Sequence, residues 1–166
     1  MTYLIWLLRI IHIGAGIFWV GGSLIMTFFV APSIGAIGES GQKFAAHLMN
    51  DLKFSSRMAA ASGASILAGL ILFALDARAG EAWIRSDFAT GLSIGAGFAL
   101  IGFVAGMLFG RTTRAMAQVS AQSQGKPTSD QLTRMQAIQK QQRTYSVLST
   151  VTLLLAVIFM AIARYM

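Results

Sequence analysis

Four runs in this chain, 4–30, 58–75, 88–109 and 147–163, are apolar over lengths at or close to what a helix needs to cross a bilayer. The requirement is about 20 residues for about 30 Å of hydrocarbon. Inside lipid every backbone N–H and C=O must be paired internally, so only helices and closed barrels can span. The alternating pattern of a barrel strand is absent from all four runs. The expectation is an all-α integral membrane protein, a four-transmembrane-helix bundle forming one membrane domain over 1–166. Composition agrees, with 55% hydrophobic and 11% charged residues, against about 25% charged in soluble domains. The first run exceeds the apolar core of a secretory signal and carries its charge inside, so it is expected to be retained. With no cysteine in the chain, disulfides, thiolate metal sites and thiol nucleophiles are excluded.

The formal charge of +7 is to be read by position rather than by sum. The first and third connections carry Lys43, Lys53, Arg57, Arg111, Arg114, Lys126, Arg134, Lys140 and Arg143, nine in all, whereas Arg9, Arg78, Arg85 and Arg164 lie on the opposite side. The positive-inside rule then places these two connections in the cytoplasm and both termini outside, and the expected location is a bacterial inner membrane. Basic charge so arranged implies topology and attraction to anionic lipid, not nucleic acid.

The first connection starts with Pro32 and several glycines and becomes amphipathic over about 40–56, through Phe44, Leu48, Leu52 and Phe54, which predicts an interfacial helix. The short second connection holds Trp83, a candidate interfacial anchor, and Ser86 or Asp87 as an N-cap for the third helix. Past Phe109 the chain continues without a breaker to the Gly-Lys-Pro at 125–127, then restarts with Thr128 and Gln131 in capping-box spacing. Helices over 87–123 and 129–165 would each be about 55 Å long, so both overshoot the hydrocarbon. A cytoplasmic helical hairpin over about 111–145 should protrude, with Met116 and Val119 facing Leu132, Met135 and Ile138. In the third span Gly91, Gly95, Ala99, Gly102, Gly106 and Gly110 recur every three or four residues. Such a seam packs a neighbouring helix closely, either within the chain or in a homo-oligomer or larger membrane complex.

Two ionisable residues stand inside the first run. Arg9 and His12 share a helical face, and Trp19 returns to it seven residues on. His12 falls about 12 Å along its helix, in the outer half, at a depth where Met160 of the fourth helix should pass. His47 lies in the cytoplasmic connection and cannot share a ligand with it. The plain expectation is that Arg9 snorkels to outer headgroups and that His12 is hydrogen-bonded to a neighbouring helix. The functional one is a cofactor site of His12, Arg9, Trp19 and Met160, with His12 as the metal ligand. Tetrahedral zinc or a di-metal hydrolase has too few ligands, and no catalytic triad shares one face.

His12, six residues, Trp19, then Val20-Gly21-Gly22 resembles the first-helix signature of small four-helix membrane proteins related to the copper-resistance protein CopD, and more loosely that of HemJ-type protoporphyrinogen oxidases. Pro32 and the amphipathic segment after it are also similar to CopD-like proteins. The resemblance implies haem b or copper at His12, with Arg9 near a haem propionate and Trp19 walling the pocket. It departs from the HemJ type in having no lysine in spans two to four, and from copper importers in offering one membrane histidine. The other class left open is a non-catalytic structural or accessory subunit of a larger membrane complex, redox or photosynthetic, with no cofactor of its own.

Overall fold

The apolar runs fold as four long helices in the computed structural model, which describes residues 2–123 and 128–166. Among these residues helix accounts for nearly everything and no strand is present. In chain order the elements are α1 (Thr2–Ile25), a π turn (Met26–Val30), α2 (Ala31–Ala36), α3 (Gly38–Asn50), α4 (Phe54–Ala77), α5 (Glu81–Ile84), α6 (Asp87–Gln122) and α7 (Ser129–Ile162), closed by a 3-10 turn (Ala163–Tyr165). The four helices Thr2–Ala36, Phe54–Ala77, Asp87–Gln122 and Ser129–Tyr165 are long and apolar enough to cross a membrane. The expected break at 125–127, with Lys126, lies outside the described residues.

The first connection departs from expectation at Pro32. Helical structure runs on through the proline to Ala36. Proline lacks the N–H for the i−4 bond and its ring crowds that carbonyl. Here the π turn comes just before it, with the Ala31 N–H donating to Met26 O, and the widened ladder accommodates the ring. The Ser33 hydroxyl then donates to Phe29 O at 2.7 Å. The amphipathic helix α3 follows a turn at Gly38, whose φ of +58° suits glycine. It ends at Asn50, short of the expected limit, and α4 begins at Phe54, four residues before the second apolar run.

Two antiparallel pairs make up the bundle: α6 packs most extensively on α7, and α1 on α4. The buried positions of α6 after its first turn are Gly91, Gly95, Gly102, Ala105, Thr112 and Val119, separated by 4, 7, 3, 7 and 7 residues. These intervals fit a heptad, the repeat that keeps two helices in contact by supercoiling. Gly91 meets Ala163, Gly95 meets Ala156 and Met160, and Gly102 meets Thr152 and Leu153. Further along, Gln142 Nε2 donates to Thr113 Oγ1 at 3.3 Å and Ser123 Oγ to Gln131 Oε1 at 3.3 Å. One register therefore holds from end to end. The glycine seam is filled by the chain's own α7. Toward the polar end Val119 (2% exposed) and Ile138 (8%) close it, while Leu132, at 47% exposed, lies off it.

The helix starts follow local chemistry. The Ser86 hydroxyl accepts from the Ala89 N–H at the head of α6, and Thr128 with Gln131 forms a complete capping box at the head of α7. Trp83 in α5 makes edge contacts with Phe73 of α4 at 5.3 Å and Phe88 of α6 at 6.3 Å, tying the two pairs together at that end.

Candidate functional site

His12 sits in the α1–α4 seam. Its Nδ1–H donates to Ser65 O at 2.8 Å, and the Ser65 hydroxyl donates to His12 O at 3.0 Å. Two helices 53 residues apart in sequence are thus joined reciprocally. The imidazole fits because α4 has no side chain beneath it: a Cβ at Gly69 would stand 2.8 Å from Cε1 and 2.9 Å from Nδ1. With Nδ1 carrying the proton, Nε2 keeps its lone pair. Among the described residues it has no hydrogen-bond partner, and no buried side-chain nitrogen or oxygen lacks one. Nε2 therefore reaches the accessible edge of the seam.

The other expected site residues are distributed differently. Arg9, one turn before His12, is exposed and has no carboxylate within ion-pair reach among the described residues. Trp19 is 7% exposed and meets Phe103 of α6 edge-on at 6.2 Å. Met160 packs on Gly95 in the α6–α7 seam, whereas His12 packs on Gly69 in the α1–α4 seam. His12 and Met160 thus belong to different helix pairs. His47 is at the surface beside Asp51, Nδ1 to Oδ2 2.6 Å.

A copper site needs several soft or imidazole donors converging on one point. Among the described residues no group of three His, Cys, Asp or Glu side chains could hold a metal. Haem needs an axial ligand, for which an imidazole serves, and a slot for the macrocycle. His12 could supply one nitrogen, and hollows of about 300 and 600 Å³ are lined by other residues. Of the residues present, His12 could hold a haem through one axial nitrogen.

Sequence reasoning missed a second polar cluster, between α1 and α7. Thr27, in the π turn, bonds Ser146 Oγ at 2.6 Å and Thr150 Oγ1 at 2.9 Å, and the Thr150 hydroxyl also donates to Ser23 O at 3.4 Å. It missed the small-residue face of α4 too. Ser62, Ser65 and Ala68 are buried at three-residue steps, with Gly69 beside them. That spacing is the same signal that marked the third span.

No family model, curated protein or solved structure matches the chain.

Proposed function

We propose that this chain is an integral protein of a bacterial inner membrane, both termini outside and the α6–α7 tip protruding into the cytoplasm, and that it serves as a non-catalytic structural or accessory subunit of a larger membrane complex. The observation that carries this is the α6–α7 seam. Small residues bring two helices of 36 and 34 residues together over a length well beyond the hydrocarbon, making a stiff, basic arm. The apolar outer face of α1 and the π turn, where Ile10, Ile17 and Phe29 are each 69% exposed, offers ample surface to lipid or to a neighbouring subunit.

Topology is tested directly because the chain has no native cysteine. Single cysteines replacing Ala79 and Ala121 should react with a membrane-impermeant maleimide from opposite sides, Ala79→Cys in spheroplasts and Ala121→Cys in inverted vesicles. Labelling of both from one side overturns the arrangement. Native electrophoresis of mildly solubilised membranes tests the subunit role. The chain is expected in an assembly larger than its own detergent complex, and migration as a free 17.8 kDa monomer overturns it.

A second reading is favoured by the free Nε2 of His12 and by the likeness to CopD-like proteins: the imidazole is one axial ligand of a haem b. When bound, that group would supply one-electron chemistry. Ser65 O would fix the tautomer and ring orientation, and Arg9 would place positive charge one turn away. Oxidised and reduced spectra of the purified protein decide it, with a Soret band lost in His12→Ala for the haem reading and a featureless spectrum against it.

A further inference from the structure

Near the middle of α7 a row of side chains faces away from both α6 and α1. Lys140, Arg143, Thr144, Val147, Leu148 and Val151 recur at spacings of three and four and are all exposed. Five of them, from Arg143 to Val151, line an open hollow of about 600 Å³. The register of the α6–α7 pair sets Arg111 level with Arg143 and Arg114 level with Lys140. Four cations thus ring the hairpin at one height, where the apolar runs end.

Among the described residues none of them has a carboxylate partner. The six acidic residues of the chain are elsewhere: Glu39, Asp51 and Glu81 are engaged with Lys43, His47 and Arg85. Asp76 and Asp87 belong to the far ends of the helices, and Asp130 is in the first turn of α7, about 15 Å from Lys140 along the axis. Along this face the order is cation, hydroxyl, then aliphatic, the order of a phospholipid from headgroup to chain. The stretch from Arg143 to Val151 rises about 12 Å, against about 15 Å for one leaflet of hydrocarbon.

We propose that this face of α7 binds an anionic phospholipid, its phosphate held by Lys140 and Arg143 and one acyl chain lying in the hollow along Val147, Leu148 and Val151. The proposal rests on the membrane reading above. Charge complementarity selects the lipid: Lys140 and Arg143, without a carboxylate partner among the described residues, above an aliphatic strip suit an anionic headgroup with a chain beneath it, whereas an acidic peptide would leave the strip uncovered.

The test places a reporter in the hollow. Val151→Trp protein is reconstituted into vesicles of phosphatidylcholine or phosphatidylglycerol with brominated chains, and quenching is corrected for the native tryptophans using protein lacking the substitution. The anionic lipid is expected to be preferred at the reporter by about fivefold or more, since each juxtamembrane cation is worth about a factor of five. The preference should fall toward one in Lys140→Gln/Arg143→Gln, survive in Arg143→Lys, and resist millimolar inorganic phosphate. Equal quenching by the two lipids overturns the headgroup site and leaves the membrane reading standing. Absence of quenching by either means that a protein covers this face, which also overturns the proposal. Extraction of the chain from native membranes by alkaline carbonate would instead remove the membrane reading itself.

Discussion

Adding a single methyl group at Gly102 tests the seam on which the architecture depends. A Cβ there would stand 2.8 Å from Leu153 Cγ, 2.9 Å from Thr152 Oγ1 and 3.0 Å from Leu153 Cδ2, where ordinary contact is 3.4–4 Å. Leu153 is 1% exposed and meets the new methyl at its branch point, so it has nowhere to swing. The helices must part locally, which also stretches the 2.8 Å bond from Ser149 Oγ to Gly102 O. Overpacking of this kind costs about 1–3 kcal/mol. Gly97→Ala in the same helix is the control, because a Cβ there meets nothing within 4 Å. Alanine's advantage over glycine in a helix, up to about 1 kcal/mol, is common to both variants and cancels between them. Gly102→Ala should therefore unfold about 2–12 °C below Gly97→Ala, at about 2–4 °C per kcal/mol for a chain of this size. Thermal unfolding of both in one detergent, followed by near-ultraviolet circular dichroism, reads the difference. Equal midpoints would refute the close approach of α6 and α7 at this layer.

Three further outcomes follow from particular contacts. Gly69→Ala alone should destabilise by about 1–3 kcal/mol because its methyl strikes the His12 ring. In a His12→Ala background the cost should vanish, and a double-mutant cycle in detergent should give a coupling of at least about 1 kcal/mol, a coupling near zero removing the ring from Gly69. For the hydroxyl cluster, the cycle of Thr27→Val with Thr150→Val should return about 0.6 kcal/mol and at most about 1.7, the range for interhelical hydrogen bonds in membrane proteins. Additive effects would dissolve the α1–α7 clasp. At the corner between α2 and α3, a Cβ on Gly41 collides with the Ile34 carbonyl, while one on Gly35 meets nothing. Gly41→Ala should raise hydrogen exchange across Gly38–Asn50 while Gly35→Ala leaves it unchanged, and equal protection in both would refute the packing.

What was legible in the sequence was legible because the signal is local. Apolar length gives four long helices, and side-chain oxygens at Ser86 and Thr128 set where two of them start. The glycines of the third span announce a close neighbour, but Gly91 and Gly102 carry no mark of which helix that is. The identity of the neighbour follows from a heptad spread over polar and apolar residues alike, which a search for greasy positions overlooks. Passage through Pro32 was hidden for a related reason: proline argues for a stop unless the turn before it widens, and Met26–Val30 has no composition that says so. At His12 the ring was legible as a half-buried imidazole needing a partner, but Ser65 O is a backbone carbonyl 53 residues away, and a backbone partner leaves no trace in side-chain identity. Met160 shows the limit of arguing from depth alone, since a similar level in a bundle says nothing about which seam a side chain enters.

The unbroken register of α6 and α7 also has a mechanical side. A bundle whose helices change partners or kink at the membrane surface can flex there, whereas this pair keeps one set of interlocked layers from Gly91–Ala163 to Ser123–Gln131. It behaves as a lever with no joint. Over the roughly 50 Å of such a helix, a tilt of about 10° at one end displaces the other by about 9 Å. Force applied to the basic tip is delivered to the far end of the hairpin with little loss. There Phe88 of α6 meets Trp83, the ring that with Phe73 joins the α6–α7 pair to the α1–α4 pair.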